Sequence, residues 1–145
     1  MDQIKIAVKR ARDQTVVDRG GGVRTFAVVT KDLGATQFLS GVTEFVPGAS
    51  IPLHSHNCEE SVVILDGIAA LELQGGERFE LEPGDATWIL AGSTHRIANI
   101  GRDVLRILWI YGRVDATRTL ASTGKTYPIG SEPPQGVPTI SSQPA

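Results

Sequence analysis

From Pro47 onward the chain meets a glycine-bearing turn at intervals of roughly ten residues, and that rhythm leaves no stretch for a helical core. Pro47-Gly48, Asp66-Gly67, Gly75-Gly76, Pro83-Gly84-Asp85, Ala91-Gly92-Ser93 and Gly101-Arg102-Asp103 supply the punctuation. Between them lie short β-branched or alternating segments: Leu53 to His56, Ser61 to Leu65, Ile68 to Gln74, Arg78 to Leu81, Ala86 to Leu90, His95 to Asn99 and Val104 to Tyr111. Upstream, residues 2–9 set Ile4, Ile6 and Val8 against Lys5 and Lys9, the pattern of a half-buried strand. Val23 to Thr30 and Gln37 to Val46 read as two more, separated by Lys31-Asp32-Leu33-Gly34 and preceded by the break Gly20-Gly21-Gly22. Asp66-Gly67 suits a type I′ hairpin. Short strands at this spacing mean a sandwich or barrel, so the chain is expected to be all-β. Arg113 to Leu120 could hold a helical turn or an irregular crossing. From Pro128 the chain is rich in Pro, Ser and Gly and poor in large apolar groups, so a mobile or draped tail is expected.

Composition narrows the function. The chain has 145 residues, enough for one domain with an adequate core. A net charge of −2 and a pI near 5.9 give no basic excess for gripping phosphates, and no nucleic-acid partner is expected. Lys9, Arg10 and Arg12 are interrupted by Asp13 and read as a solvated face. No apolar run is long enough for a membrane span. The first ten residues lack a continuous hydrophobic region and a small-residue cleavage site, which favours a cytoplasmic location. The single cysteine, Cys58, excludes an intramolecular disulfide.

The histidines are placed in a pattern. His54 and His56 are separated by one residue, so in an extended strand both imidazoles point to one face. Glu60 follows at a distance that lets the chain bend and return its carboxylate, and His95 stands further along in Gly-Ser-Thr-His-Arg-Ile-Ala-Asn. Three imidazoles and one carboxylate make a mixed nitrogen–oxygen site for a first-row divalent metal.

Those residues also carry a family resemblance. Gly48, five residues, His54-x-His56, three residues, Glu60, six residues and Gly67 match the first signature motif of the cupin superfamily at each fixed position. The second motif is similar too: Gly84, five residues, Leu90-x-Gly92, two residues, His95, three residues and Asn99. Leu90 stands where the family usually has Pro, a turn position that binds nothing. The resemblance implies an all-β double-stranded β-helix, or jelly-roll barrel, spanning residues 1–120, with its motifs at 48–67 and 84–99. Residues 121–145 would form a C-terminal extension. The resemblance further implies His54, His56, Glu60 and His95 as ligands of one divalent metal per chain, whether Fe, Mn, Ni, Co, Cu or Zn. A lone strand histidine is more often structural, yet all three histidines of this chain occupy motif positions. Gly48, Gly67, Gly84 and Gly92 fall where strands reverse and a positive φ is needed.

The neighbours of these residues are assigned as follows. Glu59 points opposite to Glu60 and takes no part. Cys58 packs beside the site. Leu105, Ile107, Trp109 and Tyr111 share one face, with Arg106 on the other. Core packing is the default for Trp109, Tyr111 and Trp88; Val62, Ile64, Trp109 and Tyr111 are the candidates for an apolar pocket wall. The metal ligands are expected from strands on one side of the barrel, with a single small ligand held at a mouth. Four protein ligands leave two positions, enough for a small molecule chelating through two oxygens or for a substrate plus dioxygen. Related cupins act as dioxygenases, decarboxylases and isomerases, and others only bind a metabolite. A dioxygenase-like enzyme is the leading expectation, and a non-catalytic binding module is the alternative. A homodimer is expected, with Ile4, Ile6 and Val8 crossing to the partner's sheet.

Overall fold

The structure, a computed structural model, describes residues 5–133. Among them there are eleven strands, one 3-10 turn at Ala11–Asp13 and no α-helix. The strands are β1 (Val17–Gly20), β2 (Val23–Val29), β3 (Leu39–Phe45), β4 (His54–His56), β5 (Glu60–Asp66) and β6 (Ala69–Leu73). They continue with β7 (Arg78–Leu81), β8 (His95–Asn99), β9 (Leu105–Tyr111), β10 (Thr117–Leu120) and β11 (Thr126–Pro128). Two antiparallel sheets result, a five-stranded one in the order β1-β2-β3-β9-β5 and a six-stranded one in the order β11-β10-β4-β8-β6-β7. This is the all-β architecture the turn rhythm predicts and the jelly roll the family resemblance implies.

The core lies between the sheets and follows the period-two alternation of each strand. On β9, Leu105, Ile107, Trp109 and Tyr111 face inward while Arg106 faces out to Glu44 and Asp66. Phe45, Val62, Ile64, Ile97 and Leu71 complete the apolar filling. Asn99 ends β8 with its side chain sealed inside. Its amide donates to the carbonyls of Phe45 (3.0 Å) and Asp103 (2.8 Å) and accepts from the N–H of Gly101 (2.9 Å). Asn99→Ala would leave three backbone groups, one buried and two part-buried, without their partner and is expected to cost about 3 kcal/mol, read by urea unfolding. A loss below about 1 kcal/mol would mean that water reaches those groups.

Several sequence expectations change on folding. Residues 5–10 form no strand: Ile6 is 85% and Val8 64% exposed, and Ile4 lies outside the described residues. The alternation is real, but this segment has no strand to pair with. Asp66-Gly67 is not a hairpin, because β5 pairs with β9 while β6 pairs with β7 and β8. The turn carries the chain from one sheet to the other. Gly67 has φ +87° but no non-glycine residue among the described residues has positive φ, whereas a type I′ turn needs two. Ala86 to Leu90 runs beside β5 with only isolated bridges, Val63 to Ala86 and Glu60 to Ile89. Gly48, Gly84 and Gly92 do adopt positive φ, at 81°, 93° and 83°.

Beyond residue 120 the chain continues along the six-stranded sheet. β11 adds to the six-stranded sheet through β10, and Ile129 packs on the core. The tail expected from about residue 128 is anchored at least as far as Glu132, whose side chain is buried. The rest of it, from residue 134, lies outside the described residues. Among the described residues no helix is long and apolar enough to cross a membrane.

Candidate metal centre

His54 and His56 project inward from β4 with Ser55 turned away, as the spacing requires. His95 opens β8 directly across from His54 in the antiparallel register. Glu60 opens β5, on the opposite sheet, because Asn57 to Glu59 carry the chain across. The four groups therefore straddle both sheets, which corrects the expectation that they come from one side. Their nearest ligand atoms all lie within 4.8 Å of one another, and all four residues are buried.

Backbone carbonyls fix the chemistry of the imidazoles. The Nδ1 atoms of His54, His56 and His95 lie 2.8, 2.9 and 2.8 Å from the carbonyl oxygens of Pro52, Thr117 and Ser93. A carbonyl can only accept, so each Nδ1 carries the proton and each Nε2 presents a lone pair. Glu60 Oε1 sits 3.0 Å from His95 Nε2 and 3.4 Å from His56 Nε2. Among the described residues, His56 Nε2 is buried without a hydrogen-bond partner. Such an orphaned lone pair beside two more imidazoles and a carboxylate fits a divalent cation, which would satisfy every inward atom at once.

Burial pushes His54 well below its ordinary value of 6.5, with the Arg118 guanidinium adding to the effect. Burial likewise lowers His56 to about 4, although Glu60 opposes it. Both rings thus stay neutral and ready to bind at neutral pH. The unfolded chain takes up protons near pH 6.5 where the folded chain does not. The metal-free protein should therefore keep full stability above pH 6.5 and lose it as pH falls from there toward 4. Melting temperatures across pH 7.5 to 5 would show this as a steady decline; a flat profile would contradict it.

The site opens into a cavity of about 130 Å³. Val62, Trp109 and Tyr111 line it, whereas Ile64 is sealed in the core behind. Tyr111 rests against His56 with ring centroids 4.5 Å apart and stacks on Trp109 at 5.0 Å. Burial raises the Tyr111 hydroxyl far above its ordinary value, so it stays a neutral phenol. Cys58 is a buried free thiol, also raised by burial, with its side chain in the core cluster. Glu59 faces outward and accepts a hydrogen bond from the Trp88 indole. Trp88 is 67% exposed, against the expectation that it packs in the core.

Three residues escaped the sequence reading: Arg19, Arg118 and Glu132 all line the cavity. For Arg118 a signal existed, because Ala116, Arg118 and Leu120 fall on one face of a strand whose apolar members are buried. Arg19 and Glu132 carry no local pattern that would place them inside.

Comparison with known proteins follows the same residues. The Cupin domain family model matches residues 41–111, which hold all four inward groups. No curated protein matches the sequence. Among solved structures, the polyketide cyclase RemF from Streptomyces resistomycificus superposes with a TM-score of 0.69 at 23% identity, covering 83% of this chain and 89% of its own. KdgF from Halomonas sp. gives 0.64 at 21%, covering 75% and 96%. Oxalate decarboxylase from Bacillus subtilis, studied for its Mn(II) centres, gives 0.69 at 21% over 77% of this chain. This chain spans only 31% of the decarboxylase length. At these identities the likeness establishes the fold. Together with the family match over residues 41–111 and the His-His-Glu-His cluster, it identifies a cupin domain in this chain.

Proposed function

We propose that the protein is a metal-dependent enzyme acting on a small organic molecule that chelates through oxygen. The observation that carries this reading is the set of three Nδ1–H groups anchored on carbonyls, which aims three Nε2 lone pairs at one carboxylate. His54, His56, Glu60 and His95 would hold one divalent ion, which when bound supplies Lewis acidity and, for a redox-active metal, dioxygen chemistry. The chain itself contributes the apolar wall of Val62, Trp109 and Tyr111, which excludes water and orients a flat ligand. Dioxygenase-type reactions lead the list; decarboxylation and isomerisation follow. The test pairs metal analysis of protein made without an affinity tag with turnover on enolisable and aromatic oxygen compounds, with and without Fe(II). Metal-dependent turnover supports the enzyme. Stoichiometric metal without turnover across that panel supports a binding module instead, and a protein free of metal removes both.

The dimer proposal keeps its motive but changes its geometry. β1 is an edge strand of the five-stranded sheet, and Val16 and Val17 on it or beside it are exposed together with Ile6 and Val8. We infer a two-fold pairing along this edge. Light scattering at micromolar concentration should give the dimer mass, and deletion of residues 1–10 should shift it to monomer. A parent protein that stays monomeric on concentration removes the idea.

A further inference from the structure

The cavity contains a second polar group that metal binding does not use. Arg118 on β10 lies directly across from His56 on β4, and its side chain is buried. Its Nε is 3.3 Å from Glu132 Oε2, and its Nη2 is 3.5 Å from the Tyr111 hydroxyl. Arg19, on the edge strand β1, brings Nη2 to 3.8 Å from the same Glu132 oxygen. A tight turn presents that carboxylate. Gly130 has φ +93°, its N–H donates to Glu132 Oε1 at 2.6 Å, and Ser131 N–H donates to the Pro128 carbonyl.

This ion pair is poorly made. Arg118 Nε and Nη1, Arg19 Nε and Nη2, and Glu132 Oε2 are all buried and lack a hydrogen-bond partner among the described residues. Two guanidiniums crowd one oxygen instead of gripping a carboxylate in a two-pronged fork, the geometry that offsets their desolvation. The pair therefore has more donor capacity than Glu132 uses. Charge points the same way: two arginines against Glu60 and Glu132 leave the cavity neutral, and a divalent ion would leave it positive.

We propose that Arg118 and Arg19 form a carboxylate-binding subsite, and that Glu132 is a resident carboxylate displaced by a ligand bearing one carboxylate on a flat apolar body. The proposal rests on the metal reading only for the statement that the far end of the ligand faces the imidazoles. Size fits, since a cavity of about 130 Å³ is close to one that admits a benzene ring. A route in exists as well. A second cavity of about 600 Å³ shares Ala27, Trp109, Ile129 and Gly130 with the first, so withdrawal of the turn carrying Glu132 would join the two. Exchange of one carboxylate for another leaves the charge of the subsite unchanged.

The probes are benzoate and benzamide, alike in shape but not in charge, added to the full chain with and without Zn(II). In the parent protein benzoate should speed hydrogen exchange of the Ile129 and Ser131 amides at least tenfold, and benzamide should not. Calorimetry should show Glu132→Gln binding benzoate at least tenfold more tightly than the parent. Arg118→Gln should bind it at least tenfold more weakly while keeping the parent's zinc content. If Glu132→Gln does not fold, the exchange result in the parent decides. Unchanged exchange, no benzoate binding in the parent, or equal affinity in Arg118→Gln overturns the subsite. The zinc measurement keeps the two readings apart. Arg118-dependent binding in a protein that takes up no zinc sinks the metal site alone, and stoichiometric zinc without that dependence sinks the subsite alone.

Discussion

Replacing His95 by alanine is expected to lower divalent-metal affinity by at least ~100-fold, beyond the ~10–100-fold that loss of an outer partner typically costs. His95 Nε2 is the imidazole atom closest to Glu60, at 3.0 Å, so its loss removes one ligand and the neighbour that fixes a second. His54→Ala should do the same, since His54 and His95 face each other across the β4–β8 register with ring centroids 4.5 Å apart. Neither change should unfold the barrel. Each removes a polar ring from the interior and leaves only one carbonyl, of Ser93 or Pro52, without its donor. Glu59→Ala is the internal control, because that carboxylate turns outward to Trp88 and should leave metal content unchanged. Zinc calorimetry with circular dichroism on the same samples reads both quantities. Equal metal content in His56→Ala and the parent would remove the assignment.

What the sequence disclosed and what it withheld have physical reasons. His54 and His56 were legible as a pair because a strand's period of two turns His54-x-His56 into a geometric statement. Glu60 and His95 were singled out by the motif resemblance, and the turns at Gly48, Gly67, Gly84 and Gly92 were legible because they need positive φ. Asn99 was legible as a motif position, though its bonding to Phe45, Gly101 and Asp103 was not. The segment 5–10 misled because alternation reports which residues could share a face, not whether a partner strand exists. Asp66-Gly67 misled for a related reason. A turn dipeptide fixes the local bend, while a jelly roll decides whether the strands it joins pair or separate into different sheets. β11 and Glu132 stayed hidden because a Pro- and Gly-rich stretch has too little apolar area to announce burial. Its anchors are the pairing of β11 with β10, Ile129 on the core and the ion pairs of Glu132 with Arg19 and Arg118.

Trp109→Ala is expected to destabilise the protein by about 3–5 kcal/mol, a fall in melting temperature of roughly 10–15 °C for a chain of this size. The indole is buried, stacks on Tyr111, and donates through Nε1 to Thr43 Oγ1 at 2.9 Å. It lies flat against β3 because the residue opposite is Gly41, where a Cβ would collide with the ring. Tyr111 in turn supports the His56 ring, so the same loss should loosen one wall of the metal centre without removing a ligand. Core and pocket roles are thus not alternatives for this residue: one face of the ring completes the core and another borders both cavities. Trp109→Phe separates the contributions. It keeps most of the buried area but loses the bond to Thr43, leaving that hydroxyl unpaired by the indole, and should cost about 1–2 kcal/mol. If Trp109→Ala instead melts within about 3 °C of the parent, the indole is a replaceable wall and the stacking of Trp109 on Tyr111 does not hold the β3–β9 face together.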